Sequence, residues 1–122
     1  AESHAVDSAG ISVSTFPMAH HATSLGYVFS SGTARIGISG DTGWCAGLER
    51  LVAASDTLLL ECTTVKKTGP KHLSLEEIRA SHTLLEGKRT FLVHLGVGVA
   101  DHLFSDPLPC MEAATDGLVV EL

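Results

Sequence analysis

Two hydrophobic periods alternate along this chain, and glycine, proline or small polar clusters mark the breaks between them. Ile11, Val13 and Thr15 alternate with Ser12 and Ser14, the two-residue period of a half-buried strand, which should end at Phe16-Pro17. Ala1 to Gly10 has no period and reads as a lead-in or a sheet edge. Tyr27-Val28-Phe29 and Arg35-Ile36-Gly37-Ile38 flank the turn-forming Ser30-Ser31-Gly32-Thr33, which predicts a hairpin. Leu48, Leu51 and Val52 fall on one face of a helix predicted over Ala46 to Ala54.

Thr57-Leu58-Leu59-Leu60-Glu61 is a continuous apolar run of the kind found in strands covered on both faces. Ser74-Leu75-Glu76-Glu77 has the form of a capping box, and Leu75, Ile78, His82 and Leu85 carry the predicted helix towards Gly87, with His82 on its apolar face. Thr90-Phe91-Leu92-Val93 predicts a second buried strand, Pro107 and Pro109 a loop, and Leu118-Val119-Val120 a last strand. Alternating strands and helices beside a hairpin make an α/β fold: a mixed sheet with two main helices.

With 122 residues, 44% of them hydrophobic and 18% charged, the chain can bury one core and is expected to be one domain, residues 1–122. No apolar run approaches the roughly 20 residues that cross a bilayer, so no membrane role is expected. Cys45, Cys62 and Cys110 are odd in number and lack Cys-x-x-Cys spacing. Reduced thiols and a cytoplasmic location are expected from them. A net charge of −6 without a basic stripe would repel a phosphate backbone, so no nucleic-acid partner is expected.

Seven histidines are more than packing or solubility requires, and neutral imidazole is the commonest metal ligand. His20, Asp41, Glu61, His72 and His94 fall where predicted strands end, the usual place for a site in an α/β sheet. Asp41 stands in the turn Ser39-Gly40-Asp41-Thr42-Gly43, and His94 closes Phe91-Leu92-Val93. His20 and His21 are adjacent, so their side chains diverge and one of the two is expected to enter a site. Glu61 could orient a ligand or be a solvated strand-end acid, and Trp44 could wall a pocket or pack. His4, His82 and His102 are given no role.

Pro17-Met18-Ala19-His20 ahead of Gly26-Tyr27, the Ser-Gly-Asp-Thr turn at Asp41, and the strand ending in His94 occur together in this order. The set resembles the later motifs of the metallo-β-lactamase-fold hydrolases, in the branch of ribonuclease Z and the class II cyclic-nucleotide phosphodiesterases, over roughly Ile11 to Leu122. That resemblance implies the C-terminal half of a four-layer αββα sandwich. It also implies two divalent ions, zinc or alternatively manganese or iron, with Asp41 bridging them, His20 serving one and His94 the other. An anionic bridge of this kind offsets the repulsion between the ions. His72, before its capped helix, resembles the histidine that acts there as a general acid or phosphate contact, a task suited to a group titrating near neutrality.

The resemblance has two gaps. Such proteins supply further ligands from a His-x-His-x-Asp-His motif in the first half of the fold, and this chain contains none. The N-terminal half is therefore expected to be absent and to come from the same protein or another chain, and an uncovered sheet face leads to the expectation of that half or a homodimer as partner. Beyond His94, where ribonuclease Z has a Ser and then an Arg-Tyr pair, Leu95-Gly96-Val97-Gly98-Val99-Ala100 follows. The expected function is a metal-dependent hydrolase that uses metal-activated hydroxide on a small phosphodiester when intact and is inactive as this chain alone. The alternatives are hydrolysis of another ester, a thioester, a lactone or an amide, or a non-catalytic assembly module.

Overall fold

The structure is a computed structural model that describes residues 9–122 in full and the backbone of residues 2–4. The strands form one seven-stranded sheet in sequence order. They are β1 (Glu2–His4), β2 (Ser12–Pro17), β3 (Leu25–Ser31), β4 (Ala34–Ile38), β5 (Thr57–Glu61), β6 (Arg89–Val93) and β7 (Met111–Ala113). β1 to β4 pair antiparallel through Glu2↔Thr15, Val13↔Phe29 and Phe29↔Ile36. From β4 onward the pairing is parallel, through Gly37↔Leu58, Leu59↔Phe91 and Leu92↔Ala113.

Parallel neighbours need crossovers. Three helices supply them: α1 (Ala46–Ala53), α2 (Leu75–Ala80) and α3 (Val99–Ser105). Leu48, Leu51, Ile78, Val99 and Leu103 from these helices join Val28, Leu58, Leu60 and Leu92 of the sheet in one buried cluster, which puts all three helices on the same face. β4 turns Gly37 towards α1, where an added Cβ would lie 2.7 Å from Leu51 Cδ2 and 2.3 Å from Ser55 Oγ. Strand and helix can meet there only because the residue is glycine.

The opposite face carries Tyr27 and Phe29, with rings 6.2 Å apart, together with Ile36, Leu59, Phe91 and Val93. Residues 114–122 lie over its β4–β6 side and enclose a cavity of about 690 Å³ with those last four side chains. Tyr27, Leu118, Val119 and Leu122 remain exposed.

Three sequence-based expectations change. Leu118-Val119-Val120 is not a strand; the free edge of β6 is taken by Met111–Ala113, and the terminal residues run as irregular chain along the open face. The helix from Ser74 has the full reciprocal capping box with Glu77, but it ends at Ala80, where the Ser81 amide is shared between Glu77 O and Ile78 O. A 3₁₀ turn, His82–Leu85, then buries Leu85 alone, so His82 is exposed, with Nδ1 3.0 Å from Arg79 O, rather than on an apolar helix face. The third helix, α3, lies ahead of the loop at Pro107 and Pro109, in a segment for which the sequence predicted no element. Its buried stripe is only Val99 and Leu103, and Phe104 points outward, so the apolar period is too short to announce it. Ala1 and residues 5–8, part of the lead-in, and the side chain of His4 lie outside the described residues.

Candidate metal centre

At the C-terminal ends of β4, β5 and β6 the backbone draws four loops together. After β4, the buried Ser39 is tied to β5 by its amide on Leu59 O (3.0 Å) and by Glu61 N on its hydroxyl (3.0 Å). Gly40 then turns the chain at φ 59, leaving Asp41 exposed and Thr42 buried. Thr42 Oγ1 accepts from Ala19 N (2.9 Å), and Gly43 N donates to Ala19 O (2.9 Å), so the loop after β2 is stapled to the turn and His20 arrives beside Asp41. On the other side of the turn an added Cβ on Gly43 would lie 1.8 Å from Pro70 O. This glycine lets the 70–72 backbone close in, and His72 comes with it. His94 follows β6 at φ 52, a left-handed conformation that costs a non-glycine residue energy and turns its ring off the strand path.

These loops bring together His20, Asp41, His72 and His94. Asp41 Oδ2 lies 3.9 Å from His20 Nε2, and its Oδ1 lies 3.8 Å from His94 Nδ1. The rings of His20 and His72 are 4.9 Å apart, edge to face, and those of His72 and His94 are stacked at 5.8 Å. Of the adjacent pair, His20 is the one that joins the cluster; its side chain is 18% exposed, while His21 stays in solvent with its ring 4.3 Å from that of His20.

Behind the histidines lies Glu61, 1% exposed and so not a solvated strand-end acid. Its Oε1 accepts from Thr42 N (3.0 Å) and contacts His72 Nδ1 at 2.7 Å, and its Oε2 accepts from Thr63 N (3.1 Å) and Thr63 Oγ1 (2.9 Å). Four donors on one buried carboxylate satisfy and fix both of its oxygens. Cys62 is buried, and that burial, followed by the charges of Glu61 and Glu77, pushes its thiol up to about 12, so it packs as a neutral side chain. Trp44 is a packing residue: it lies against the core cluster and donates from Nε1 to Glu49 Oε1 at 2.8 Å.

Among the described residues, two groups of side chains each bring their donor atoms within 4.8 Å of one another, His20-Asp41-His72 and Glu61-His72-His94. The second has its carboxylate already filled by four donors, which leaves it the character of a supporting network. Asp41 is different, being 45% exposed on the side chain and holding its two oxygens towards two different imidazoles. Imidazole and carboxylate are the ligands that zinc, manganese and iron accept. The group that closes around Asp41 is His20-Asp41-His72, which His94 joins only pairwise through Nδ1 at 3.8 Å from Asp41 Oδ1, and its imidazole and carboxylate chemistry fits a divalent metal. Thr63 went unnoticed in the sequence. Its signal is the period of two, which in extended chain puts it on the same side as Glu61.

Comparison with known proteins gives the family. The family model described as the beta-lactamase superfamily domain matches residues 1–95. No curated protein sequence matches the chain. Solved structures of low identity share its fold. A diphosphatase of the PhnP family is 18% identical with a TM-score of 0.71, over 99% of this chain and 46% of that one. The zinc-bound PqqB of Methylobacterium extorquens is 18% identical with a TM-score of 0.71, over 99% and 53%. The short form of human tRNase Z is 20% identical with a TM-score of 0.67, over 98% and 47%. The chain thus spans about half the length of the structures it matches. On the family match and the shared architecture, the chain belongs to the β-lactamase superfamily and has the fold of one half of a metallo-β-lactamase sandwich.

Proposed function

We propose that this chain is the part of a metal-dependent phosphodiesterase that contributes His20, Asp41 and His94 to a two-metal centre and His72 to the departing group. The observation that carries the proposal is Asp41, whose two oxygens face two different imidazoles at 3.9 and 3.8 Å, the arrangement a bridging carboxylate needs. When bound, the ions, zinc or alternatively manganese or iron, would supply Lewis acidity at a phosphoryl oxygen and a nucleophile from water near neutral pH. The remaining ligands would come from the rest of the sandwich, an N-terminal half or a second copy, which would also cover the apolar face.

The chain's own residues have distinct tasks in this scheme. Asp41 offers anionic charge to both ions. His72 is held at Nδ1 by Glu61, so Nε2 is the atom free to carry a proton to the leaving oxygen, and its side chain is 34% exposed, open enough for substrate to reach. A net charge of −6 and the Leu95–Ala100 stretch after His94 favour a small phosphodiester over a polynucleotide. The testing experiment is to assay the full-length protein with bis-p-nitrophenyl phosphate and with p-nitrophenyl acyl esters. Chelator-sensitive phosphodiester turnover supports the proposal. Acyl-ester turnover alone would replace it with a carboxylic-ester or thioester hydrolase on the same fold, and no turnover of either would favour an assembly module.

A further inference from the structure

Thr63 lies just beyond β5 and reaches Glu61, His72 and His94 with one hydroxyl. Its Oγ1 is 2.9 Å from Glu61 Oε2, 3.0 Å from His94 Nδ1 and 3.2 Å from His72 Nδ1. A hydroxyl has one proton to donate and two lone pairs to accept with. The ionised Glu61 can only accept, and if the Thr63 proton went to His94 instead, two oxygens would face each other at 2.9 Å with no hydrogen between them. Thr63 therefore donates to Glu61 and can only accept from a ring nitrogen. His72 Nδ1 gives its proton to Glu61 Oε1 at 2.7 Å, so the lone pair of the hydroxyl is left for Nδ1–H of His94.

The hydroxyl itself has little freedom to do otherwise. Thr63 N is bound to Leu73 O (3.1 Å) as well as to Glu61 Oε2, and an added Cβ on Gly96 would lie 1.7 Å from Thr63 O, so the loop after His94 is pressed against this residue. His94 stands at φ 52 immediately before that loop, and its bond to Thr63 helps to hold the ring in the orientation this backbone imposes.

Resting on the metal-centre reading above, we infer that Thr63 is a positioning residue that fixes His94 as its Nδ1–H tautomer, so that a single buried carboxylate sets two histidines, His72 directly and His94 through the threonine hydroxyl. The consequence is that Nδ1 of His94, although it lies 3.8 Å from Asp41 Oδ1, is taken up by Thr63, so that the ring would meet an ion through Nε2. A partner of this kind orients the ring and makes its other nitrogen the ligand atom, and its loss typically costs about 10- to 100-fold in metal affinity.

The test uses the full-length protein with ¹⁵N-labelled histidine, freed of metal with chelator, and long-range ¹H–¹⁵N correlation at a pH where the imidazoles are neutral. His94 is expected as the Nδ1–H tautomer in the wild type and in Thr63→Ser, and as a mixture or as Nε2–H in Thr63→Val. Zinc titration of the same three proteins should show affinity about 10- to 100-fold weaker for Thr63→Val and close to wild type for Thr63→Ser. An Nε2–H tautomer at His94 in the wild type, or an unchanged tautomer in a folded Thr63→Val, overturns the inference. If Thr63→Val does not fold, the wild-type tautomer and its retention in Thr63→Ser decide. The tautomer reports on Thr63 whether or not zinc binds, so failure of the metal-centre reading appears separately, as a wild type that takes up no zinc.

Discussion

His72 Nδ1 lies 2.7 Å from Glu61 Oε1 across eleven residues of chain, one partner 34% exposed on its side chain and the other at 1%. A buried acid is thus the anchor of an accessible histidine. Replacing Glu61 by Gln keeps the shape but sets an amide NH₂ where two donors already point: at the Oε1 position it leaves Thr42 N without an acceptor, and at the Oε2 position it opposes Thr63 N and displaces the Thr63 hydroxyl proton. An unsatisfied buried group costs about 1–3 kcal/mol. Urea denaturation of Glu61→Gln should show a loss of that size with an unchanged m-value, and a wild-type midpoint would show that the network adds nothing to stability.

Proton donation by His72 has a signature that a purely structural role lacks. If Nε2 protonates the leaving oxygen, His72→Ala should lower kcat by about 10²- to 10⁴-fold for a diester with an alkoxide leaving group. The loss should be much smaller for bis-p-nitrophenyl phosphate, whose phenolate departs without help. Equal losses on both substrates would assign His72 to phosphate binding instead.

The fold was legible wherever burial imposed a clean period. β5 spans Thr57–Glu61, matching the apolar run, and the Ser74 capping box, visible in four letters, is formed in full. The elements that escaped are those with too little buried surface to write a period. β7 contributes three residues, and α3 buries two. Leu118-Val119-Val120 misled for the converse reason: β-branched, apolar residues can line an open face without joining a ladder. At the site, His20, Asp41 and His94 could be singled out because each follows a predicted strand, and His72 because it stands just ahead of the Ser74 capping box. The tie of Thr63 to His94 spans 31 residues and depends on the close approach at Gly96, so no local spacing reports it.

Arg35 and Asp56 offer a pH test away from the centre. The guanidinium donates through Nε (3.1 Å) and Nη2 (2.9 Å) to the two Asp56 oxygens, joining the start of β4 to the turn before β5. This hydrogen-bonded guanidinium lowers the Asp56 pKa, against a smaller opposing effect of desolvation. A depressed acid contributes stability above its unfolded value of about 3.9, and that contribution disappears as pH falls through the folded value. Asp56→Asn should therefore be less stable than wild type at pH 7, with the gap closing as pH is lowered below about 4. Both groups are exposed, so the gap should be small and should shrink in salt. A pH-independent difference in thermal midpoint would trace it to the turn and not to the ion pair.

Ligand counting yields the last prediction. His20, Asp41 and His94 shared between two ions give each one imidazole and part of a carboxylate, whereas zinc sites commonly use three or four protein ligands. The 122-residue chain by itself should therefore retain little metal through dialysis, and Asp41→Ala should barely change that content. In the full-length protein the same substitution removes the only one of the three that is an anion, so retained metal should fall and activity should drop by roughly 10²-fold or more, the equivalent of several kcal/mol of lost charge stabilisation. Elemental analysis after dialysis checks both arms. Two tightly held equivalents in the 122-residue chain would mean that these residues suffice for the centre, and an Asp41→Ala full-length protein with unchanged metal and turnover would mean that Asp41 is not the bridge.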